Sequence, residues 1–139
     1  MRRLQKFSLD IYSVFISNNV DVPYIQVVAP PGVDLAVSGQ VLLKRQPWDV
    51  HVTSIFNLFR KQSSHKCLVI DAGANIGASV TLPALASGCK VIAFELQSRL
   101  RDMIKMAAIL NDFDETELIF VSNCMFKSES RSFVFLPLL

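Results

Sequence analysis

A turn with two glycines directly follows a short apolar run, and it constrains the fold of this chain more than any other feature. The run, residues 67–70, reads CLVI, and the turn, residues 71–77, reads DAGANIG and is called the glycine loop below. A continuous apolar strand is typical of a parallel sheet covered on both faces. Gly73 allows a tight turn and close approach of a ligand, and Gly77 permits close packing of the next helix. The sequence therefore predicts a ligand-binding turn at the carboxyl end of a parallel strand.

Alternating helix and strand patterns follow this turn. They are a helix over residues 78–87 that Gly88 ends, a strand over 91–94 closed by Glu95, a helix over 98–110 with Asn111 near its end, a strand over 118–121 and a candidate fourth strand over 131–136. Pro83 either kinks the first helix or falls within its first turns. Because right-handed crossovers place such strands side by side, we predict an α/β fold: a Rossmann-like parallel sheet with flanking helices. The sheet is expected to be incomplete, with about three to four core strands and the C-terminal strands missing.

The first part of the chain is less regular. Its predicted elements are an N-terminal amphipathic helix with Leu4, Phe7, Ile11, Val14 and Phe15 on one face, strands over 24–29 and 41–44, and a helix over 50–62 with Val52, Ile55, Phe56 and Phe59 buried. We expect residues 1–64 to form an N-terminal lead-in and residues 65–139 to form the partial Rossmann-like domain.

Composition limits the classes of function. Hydrophobic residues make up 51% of the 139 residues, which argues against disorder. The net charge of +2 gives no reason to expect nucleic-acid binding, and no apolar segment is long enough to span a membrane. Cys67, Cys89 and Cys124 lack metal-site or disulfide-framework spacing, so we expect reduced thiols in an intracellular, cytoplasmic protein, with organelle targeting left open. His51 and His65 have no partners at metal-ligand spacing, so no metal site is expected.

Three polar side chains near the ends of two strands carry the predicted binding chemistry. Asp71, at the tip of the first strand, can meet an ammonium group or a bridging water. Asn75 tolerates a left-handed conformation and can supply hydrogen bonds. Glu95 ends the next strand, 24 residues after Asp71, and an acid there can accept hydrogen bonds from both hydroxyls of a ribose. Together these residues predict a nucleoside-binding cleft.

The glycine loop also bears on the choice of cofactor. A dinucleotide fingerprint reads G-x-G-x-x-G, whereas this loop has Asn75 where a second glycine would let a pyrophosphate approach. That difference favours an adenosyl ligand without a diphosphate. A nicotinamide-dependent oxidoreductase stays open as the disfavoured alternative.

Residues 68–113 resemble the opening of FkbM-type class I methyltransferases. The shared motifs are the D-x-G-A-N-x-G loop, the V-x-A-F-E strand tip and a helix that ends in L-N. The resemblance implies binding of S-adenosylmethionine and methyl transfer, typically to an oxygen of a small-molecule or sugar-like acceptor. It also implies where the cofactor lies: its amino-acid end on Asp71, Gly73, Ala74, Asn75 and Gly77, its ribose on Glu95, and its adenine near Asn123.

The sequence also departs from that family. Leu96 stands where the family has proline after the ribose-binding acid, and the later strands that line the family's acceptor pocket are expected to be missing. We assign no catalytic residue, and whether the chain is an enzyme stays open. Beside the disfavoured oxidoreductase, two functions are considered: the cofactor-binding half of a methyltransferase, or a truncated, non-catalytic Rossmann-like binding module. A sheet with an unpaired edge and an exposed apolar face further predicts marginal stability or self-association.

Overall fold

The computed structural model describes residues 13–17, 23–29, 36–44, 48–61, 67–127 and 133–137. In chain order its elements are β1 Ser13–Ser17, β2 Tyr24–Val28, α1 Val37–Lys44, α2 Val50–Lys61, β3 Leu68–Ala72, α3 Thr81–Ala86, β4 Lys90–Phe94, α4 Ser98–Leu110, β5 Leu118–Val121, β6 Asn123–Lys127 and β7 Phe133–Pro137. One turn of 3-10 helix, Glu115–Glu117, precedes β5. Strands and helices alternate from β3 to β5, as the sequence predicts.

The parallel sheet has the strand order β3-β4-β5 among the described residues. Both pairings are parallel, with Val69 beside Val91 and Val91 beside Leu118. The predicted Rossmann-like α/β class is therefore confirmed. The candidate fourth strand is present as β7, but it pairs antiparallel with β6 in a separate two-stranded sheet. The parallel sheet thus has three strands in the part of the chain that the structure describes.

One face of this sheet is covered by helices. Successive side chains of a strand point to opposite faces, and Val91 and Ala93 on one face are fully buried. Helix α3 packs against β3 and β4. At the other side of this face, the Nζ atom of Lys105 in α4 lies 5.5 Å from the centroid of the Phe120 ring in β5. The strand tips are therefore held by a packed layer of α3 and α4 on this side.

The opposite face, called the open face below, carries the alternate residues Leu68, Ile70, Ala72, Lys90, Ile92, Phe94, Ile119 and Val121. Leu68, Ile70 and Ile119 are 59%, 63% and 43% exposed. The expectation of a first strand covered on both faces is therefore wrong, because the described residues place no helix over these side chains. The expectation of an exposed apolar face is confirmed.

The N-terminal segment packs onto the helix layer. β2 confirms the strand predicted over 24–29, and it lies against α3 and α4 with Val27 and Val28 fully buried. Residues 13–17, at the end of the predicted amphipathic helix, instead form β1, so that prediction is wrong at Val14 and Phe15. β1 pairs antiparallel with β2, which provides its main-chain groups with hydrogen-bond partners. The rest of the predicted helix lies outside the described residues.

Two other N-terminal predictions need correction. The strand predicted over 41–44 is part of helix α1, whose Val41 is fully buried and whose Ser38 hydroxyl accepts a hydrogen bond (3.1 Å) from the Ala29 amide. A short run such as VLLK does not distinguish a strand from a buried helix, so packing beside β2 decides it. Helix α2 confirms the helix predicted over 50–62 and buries Phe56, but Ile55 is exposed and Thr53 is buried instead. The Phe59 side chain lies outside the described residues.

The cysteines depart from expectation as well. Cys67 and Cys89 form a disulfide, with their Cα atoms 4.8 Å apart, so the prediction of reduced thiols is wrong for this pair. The two residues precede β3 and β4, and the parallel register brings them together although 22 positions separate them. The intracellular location that the thiols suggested stays a prediction. Among the described residues, no helix is long and apolar enough to cross a membrane.

The two helices beside the sheet follow the sequence closely. α4 has the predicted bounds, and Asn111 is its C-cap, as predicted. α3 begins later than predicted, at Thr81, because residues 75–80 form turns. Pro83 therefore lies in the first turn of α3, where a missing amide is tolerated. Gly88 follows the helix with a φ of +83°, as predicted for its end. The division of the chain at residue 64 stays a prediction, although described residues on both sides of it share one core.

Candidate functional site

The glycine loop joins β3 to α3 through a tight, left-handed path. Gly73, Asn75 and Gly77 have φ angles of +91°, +54° and +78°. A Cβ at Gly77 would lie 3.1 Å from Leu82 Cγ and 3.2 Å from Ile104 Cγ1, so this glycine is required for packing of the helix layer, as predicted. At Gly73 a Cβ would meet nothing within 4 Å, so its positive φ alone excludes a side chain there.

The main-chain amides of the glycine loop are used within the protein. Each of the five amides from Gly73 to Gly77 donates a hydrogen bond of 2.8–3.0 Å. The acceptors are Phe94 O for Gly73 and Ala74, Glu95 Oε2 for Asn75, Asn75 Oδ1 for Ile76, and Ala74 O for Gly77. These five amides therefore already have acceptors within the protein.

Glu95 connects the two strand tips. Its carboxylate is only 8% exposed, and it accepts hydrogen bonds of 2.8 Å from the Asn75 amide on Oε2 and from the Gln97 amide on Oε1. Arg101, in the first turn of α4, donates from Nη1 to the carbonyls of Glu95 (2.8 Å) and Leu96 (2.6 Å). A carboxylate has about four acceptor positions, so two amides leave room for a ligand hydroxyl.

Asp71 is held from the opposite side of the loop. It is 8% exposed, and its Oδ2 accepts a hydrogen bond of 2.6 Å from the Thr81 hydroxyl. Burial raises the pKa of Asp71; hydrogen bonds from the Thr81 hydroxyl and amide act against this, and the nearby Glu95 charge adds to it. Thr81 was not predicted as part of the site, because its place depends on where α3 begins. A hydroxyl residue at the start of a helix was the available signal.

The two acids make this end of the sheet negative when both are ionised. Asp71 ends the buried side of β3, and Glu95 directly follows β4, so the parallel pairing brings them to one edge. Within the described part of the chain, neither carboxylate pairs with a basic side chain. The arrangement therefore suits a ligand that offers hydrogen-bond donors or positive charge. It suits a diphosphate poorly, since a diphosphate needs free amide donors and repels carboxylates.

The remaining predicted residue is less closely defined. Asn123 is the first residue of β6, opposite Pro137 of β7. Its side chain lies outside the described residues, so its role near an adenine stays a prediction. A separate cavity of about 300 Å³ lies between α4 and β5, and its lining contains no predicted site residue.

Comparison with known proteins gives the fold a context. No protein-family model matches the chain, and no curated protein is significantly similar to it in sequence. Among solved structures, a SAM-dependent methyltransferase from Agrobacterium tumefaciens matches with a TM-score of 0.60 and 10% identity, over 85% of this chain and 34% of that one. P. horikoshii TYW2, solved in complex with MeSAdo, matches with a TM-score of 0.53 and 19% identity, over 83% of this chain and 37% of that one.

The chain has a methyltransferase-like fold. At these identities the likeness concerns the fold alone, and the chain spans about a third of the length of the two solved structures. The match extends over more than four fifths of this chain, so it includes much of the N-terminal segment as well as the sheet. The FkbM subtype is not tested by these comparisons and stays a prediction.

Proposed function

We propose that the glycine loop and Glu95 bind S-adenosylmethionine, and that the chain is the cofactor-binding half of a methyltransferase of the FkbM type. The observation that carries the proposal is the use of all five amides from Gly73 to Gly77 by acceptors of the protein itself. A diphosphate needs such amides as donors. An ammonium group and ribose hydroxyls bring their own donors, which carboxylates can accept.

Each predicted residue has a specific part in this proposal. Asp71 accepts from the ammonium group directly or through a water, and Glu95 accepts from the ribose hydroxyls on its remaining acceptor positions. Gly73, Ala74, Asn75 and Gly77 shape the turn on which the amino-acid end rests, and Asn123 approaches the adenine. When bound, S-adenosylmethionine supplies a methyl group that its positive sulfonium already activates. The described residues bind and orient the donor, because methyl transfer depends chiefly on alignment of donor and acceptor.

The acceptor is proposed from the FkbM resemblance. We infer an oxygen of a small-molecule or sugar-like acceptor, for which a general base would assist removal of the hydroxyl proton. No described residue is assigned as that base. Methyltransferase folds among the solved structures that match the chain support the reaction class, and they leave the acceptor to be determined.

Titration calorimetry of the 139-residue chain tests the cofactor. We expect it to bind S-adenosylmethionine more tightly than NAD. Asp71→Asn and Glu95→Gln should each weaken binding by about tenfold or more, because each replaces a buried charged acceptor. Asp102→Asn and Glu117→Gln remove less buried acids outside the site and should leave binding unchanged. Tighter binding of NAD, or no binding by a chain shown to be folded by circular dichroism, would contradict the proposal.

The non-catalytic binding module is a second candidate, and the open face favours it. Exposed side chains such as Leu68 and Ile70 leave part of the sheet uncovered in the described residues. A methyltransferase and a module differ in turnover rather than in binding. Binding of S-adenosylmethionine without methyl transfer to a panel of sugars and other hydroxyl acceptors would favour the module.

A further inference from the structure

A buried glutamine in β2 has an unsatisfied oxygen. Gln26 is fully buried, and in the described part of the chain its Oε1 accepts no hydrogen bond. Its Nε2 donates to the hydroxyl of Tyr24 at 3.2 Å. Buried polar atoms nearly always have a partner, so a glutamine at this position needs a reason other than stability. The hydrogen bond that its side chain donates to Tyr24 suggests what the glutamine does.

The Tyr24 hydroxyl connects Gln26 to the residue that follows the glycine loop. Tyr24 is 2% exposed, and its hydroxyl donates to the carbonyl of Ala78 at 3.5 Å. Ala78 directly follows Gly77 and is itself buried. At 3.5 Å this contact lies at the long end of the range for a hydrogen bond. The hydroxyl therefore contacts Ala78, directly after the glycine loop, and no ligand contact is predicted for that residue.

Asn111 holds β2 in the position that this contact requires. Its Oδ1 accepts from the Ile25 amide at 2.7 Å, and its Nδ2 donates to the Ile25 carbonyl at 2.7 Å. The same Nδ2 donates to the carbonyl of Ala107 in α4 at 2.7 Å. The side chain thus pairs with β2 as a neighbouring strand would. It joins β2 to the helix that packs against Gly77 through Ile104.

We propose that Gln26 and Tyr24 are positioning residues for the glycine loop. They lie in β2, which forms a hairpin with β1, and they act through the Ala78 carbonyl. The hairpin of β1 and β2 then contributes to the cofactor site. This inference rests on the proposed function for its effect on S-adenosylmethionine, and on the geometry alone for its effect on the loop. Gln26 orients the Tyr24 hydroxyl, and Tyr24 limits movement of the turn between Gly77 and α3.

Two variants separate positioning from stability. Tyr24→Phe removes only the hydroxyl, and Gln26→Met removes both the donor and the unsatisfied acceptor while keeping a side chain of similar length. Thr53→Val is the matched control, since the buried Thr53 hydroxyl in α2 donates to the Asp49 carbonyl (2.8 Å) directly before that helix and, within the described residues, makes no hydrogen bond to the loop. Each is measured by amide hydrogen exchange over residues 73–80, by calorimetric titration with S-adenosylmethionine and by thermal unfolding.

We expect Tyr24→Phe and Gln26→Met to speed exchange over residues 73–80 by roughly twofold to tenfold, the effect of one hydrogen bond, and to weaken S-adenosylmethionine binding by a similar factor. Gln26→Met should unfold at the same or a higher temperature, because an unsatisfied buried acceptor has been removed. Thr53→Val should leave loop exchange unchanged. A merely structural role would instead make stability and loop protection fall together.

Three results would overturn the inference: unchanged loop exchange in Gln26→Met, a lower unfolding temperature in that variant, or an equal loop effect in Thr53→Val. If Tyr24→Phe does not fold, Gln26→Met decides the question alone. If the unmodified chain fails to bind S-adenosylmethionine, the proposed function fails. Hydrogen exchange still tests the positioning role in that case, because it requires no ligand.

Discussion

Asp71, a proposed cofactor ligand, opposes stability at neutral pH because its carboxyl is buried. Its carboxyl is buried at the end of β3, and it has two donors from Thr81, the hydroxyl and the amide. Burial nevertheless raises the pKa of Asp71 above its ordinary 3.8. The folded chain therefore retains this proton at pH values where the unfolded chain has lost it. The stabilising contribution of Asp71 is full below pH 3.8 and is lost as the pH rises through the raised pKa.

Asp71→Asn should accordingly stabilise the chain at neutral pH. The Asn oxygen can still accept from Thr81, and no charge is buried, so we expect a gain of about 1 kcal/mol, or roughly 2–4 °C in unfolding temperature. The gain should shrink as the pH falls toward 3.8, because the native carboxyl is then protonated too. Thermal unfolding from pH 4 to pH 8 measures it, with the half-exposed Asp102→Asn as control. A gain that is absent or independent of pH would contradict the burial argument.

At the scale of elements, β2 and α4 are joined by hydrogen bonds between one side chain and main-chain groups. Asn111 provides both an acceptor and a donor to Ile25, which otherwise lacks a strand neighbour on that side in the described residues. Its position as the C-cap of α4 gives the amide a fixed place from which to do this. Asn111 thus caps α4 and also holds β2 in place.

Asn111→Ala should destabilise the chain by about 2–4 kcal/mol, because it leaves the Ile25 amide and carbonyl without partners. Asn111→Asp keeps the acceptor but not the donor, so an intermediate loss is expected. Gln97→Ala, at the other end of α4, removes a side chain that makes no cap hydrogen bond and should change stability by less than about 0.5 kcal/mol. Urea unfolding of the three variants provides the comparison, and equal effects at Asn111 and Gln97 would show that the pairing is unimportant.

At the scale of the whole molecule, the described residues cover the parallel sheet on one side only. The helix layer covers one face, while the open face presents Leu68, Ile70 and Ile119 to solvent in the described residues. β3 is also an edge of the parallel sheet there. An apolar face beside a free strand edge favours association. We therefore propose that the 139-residue chain self-associates through the open face.

A charged residue on the open face should suppress this association. Ile70→Glu, at a position 63% exposed, should shift the chain toward monomer with little change in the unfolding temperature. Leu43→Glu is the control, since Leu43 is 81% exposed on α1, away from the open face. Sedimentation velocity over a range of concentrations measures both. A wild-type chain that stays monomeric, or an equal effect of Leu43→Glu, would refute the proposed surface.

The sequence alone determined the unit from β3 to β5. A continuous apolar run, two glycines that accept positive φ, and a well-formed helix pattern act over short distances, so the bounds of α4 and β5 and the glycine loop could be predicted. The adjacency of Asp71 and Glu95 followed too, since parallel strands bring their carboxyl ends to one edge. These are properties that local conformation and simple topology impose.

Only the tertiary structure decided the rest. Residues 13–17 and 41–44 are short apolar segments that suit either a strand or a helix, and their conformation depends on β2 lying beside them. The Cys67–Cys89 disulfide and the Thr81–Asp71 hydrogen bond depend on register and on the first residue of α3. Three of the five loop amides, those of Gly73, Ala74 and Asn75, depend on Phe94 and Glu95 of the neighbouring strand end. Each joins groups far apart in sequence, which a pattern of residues along the chain does not specify.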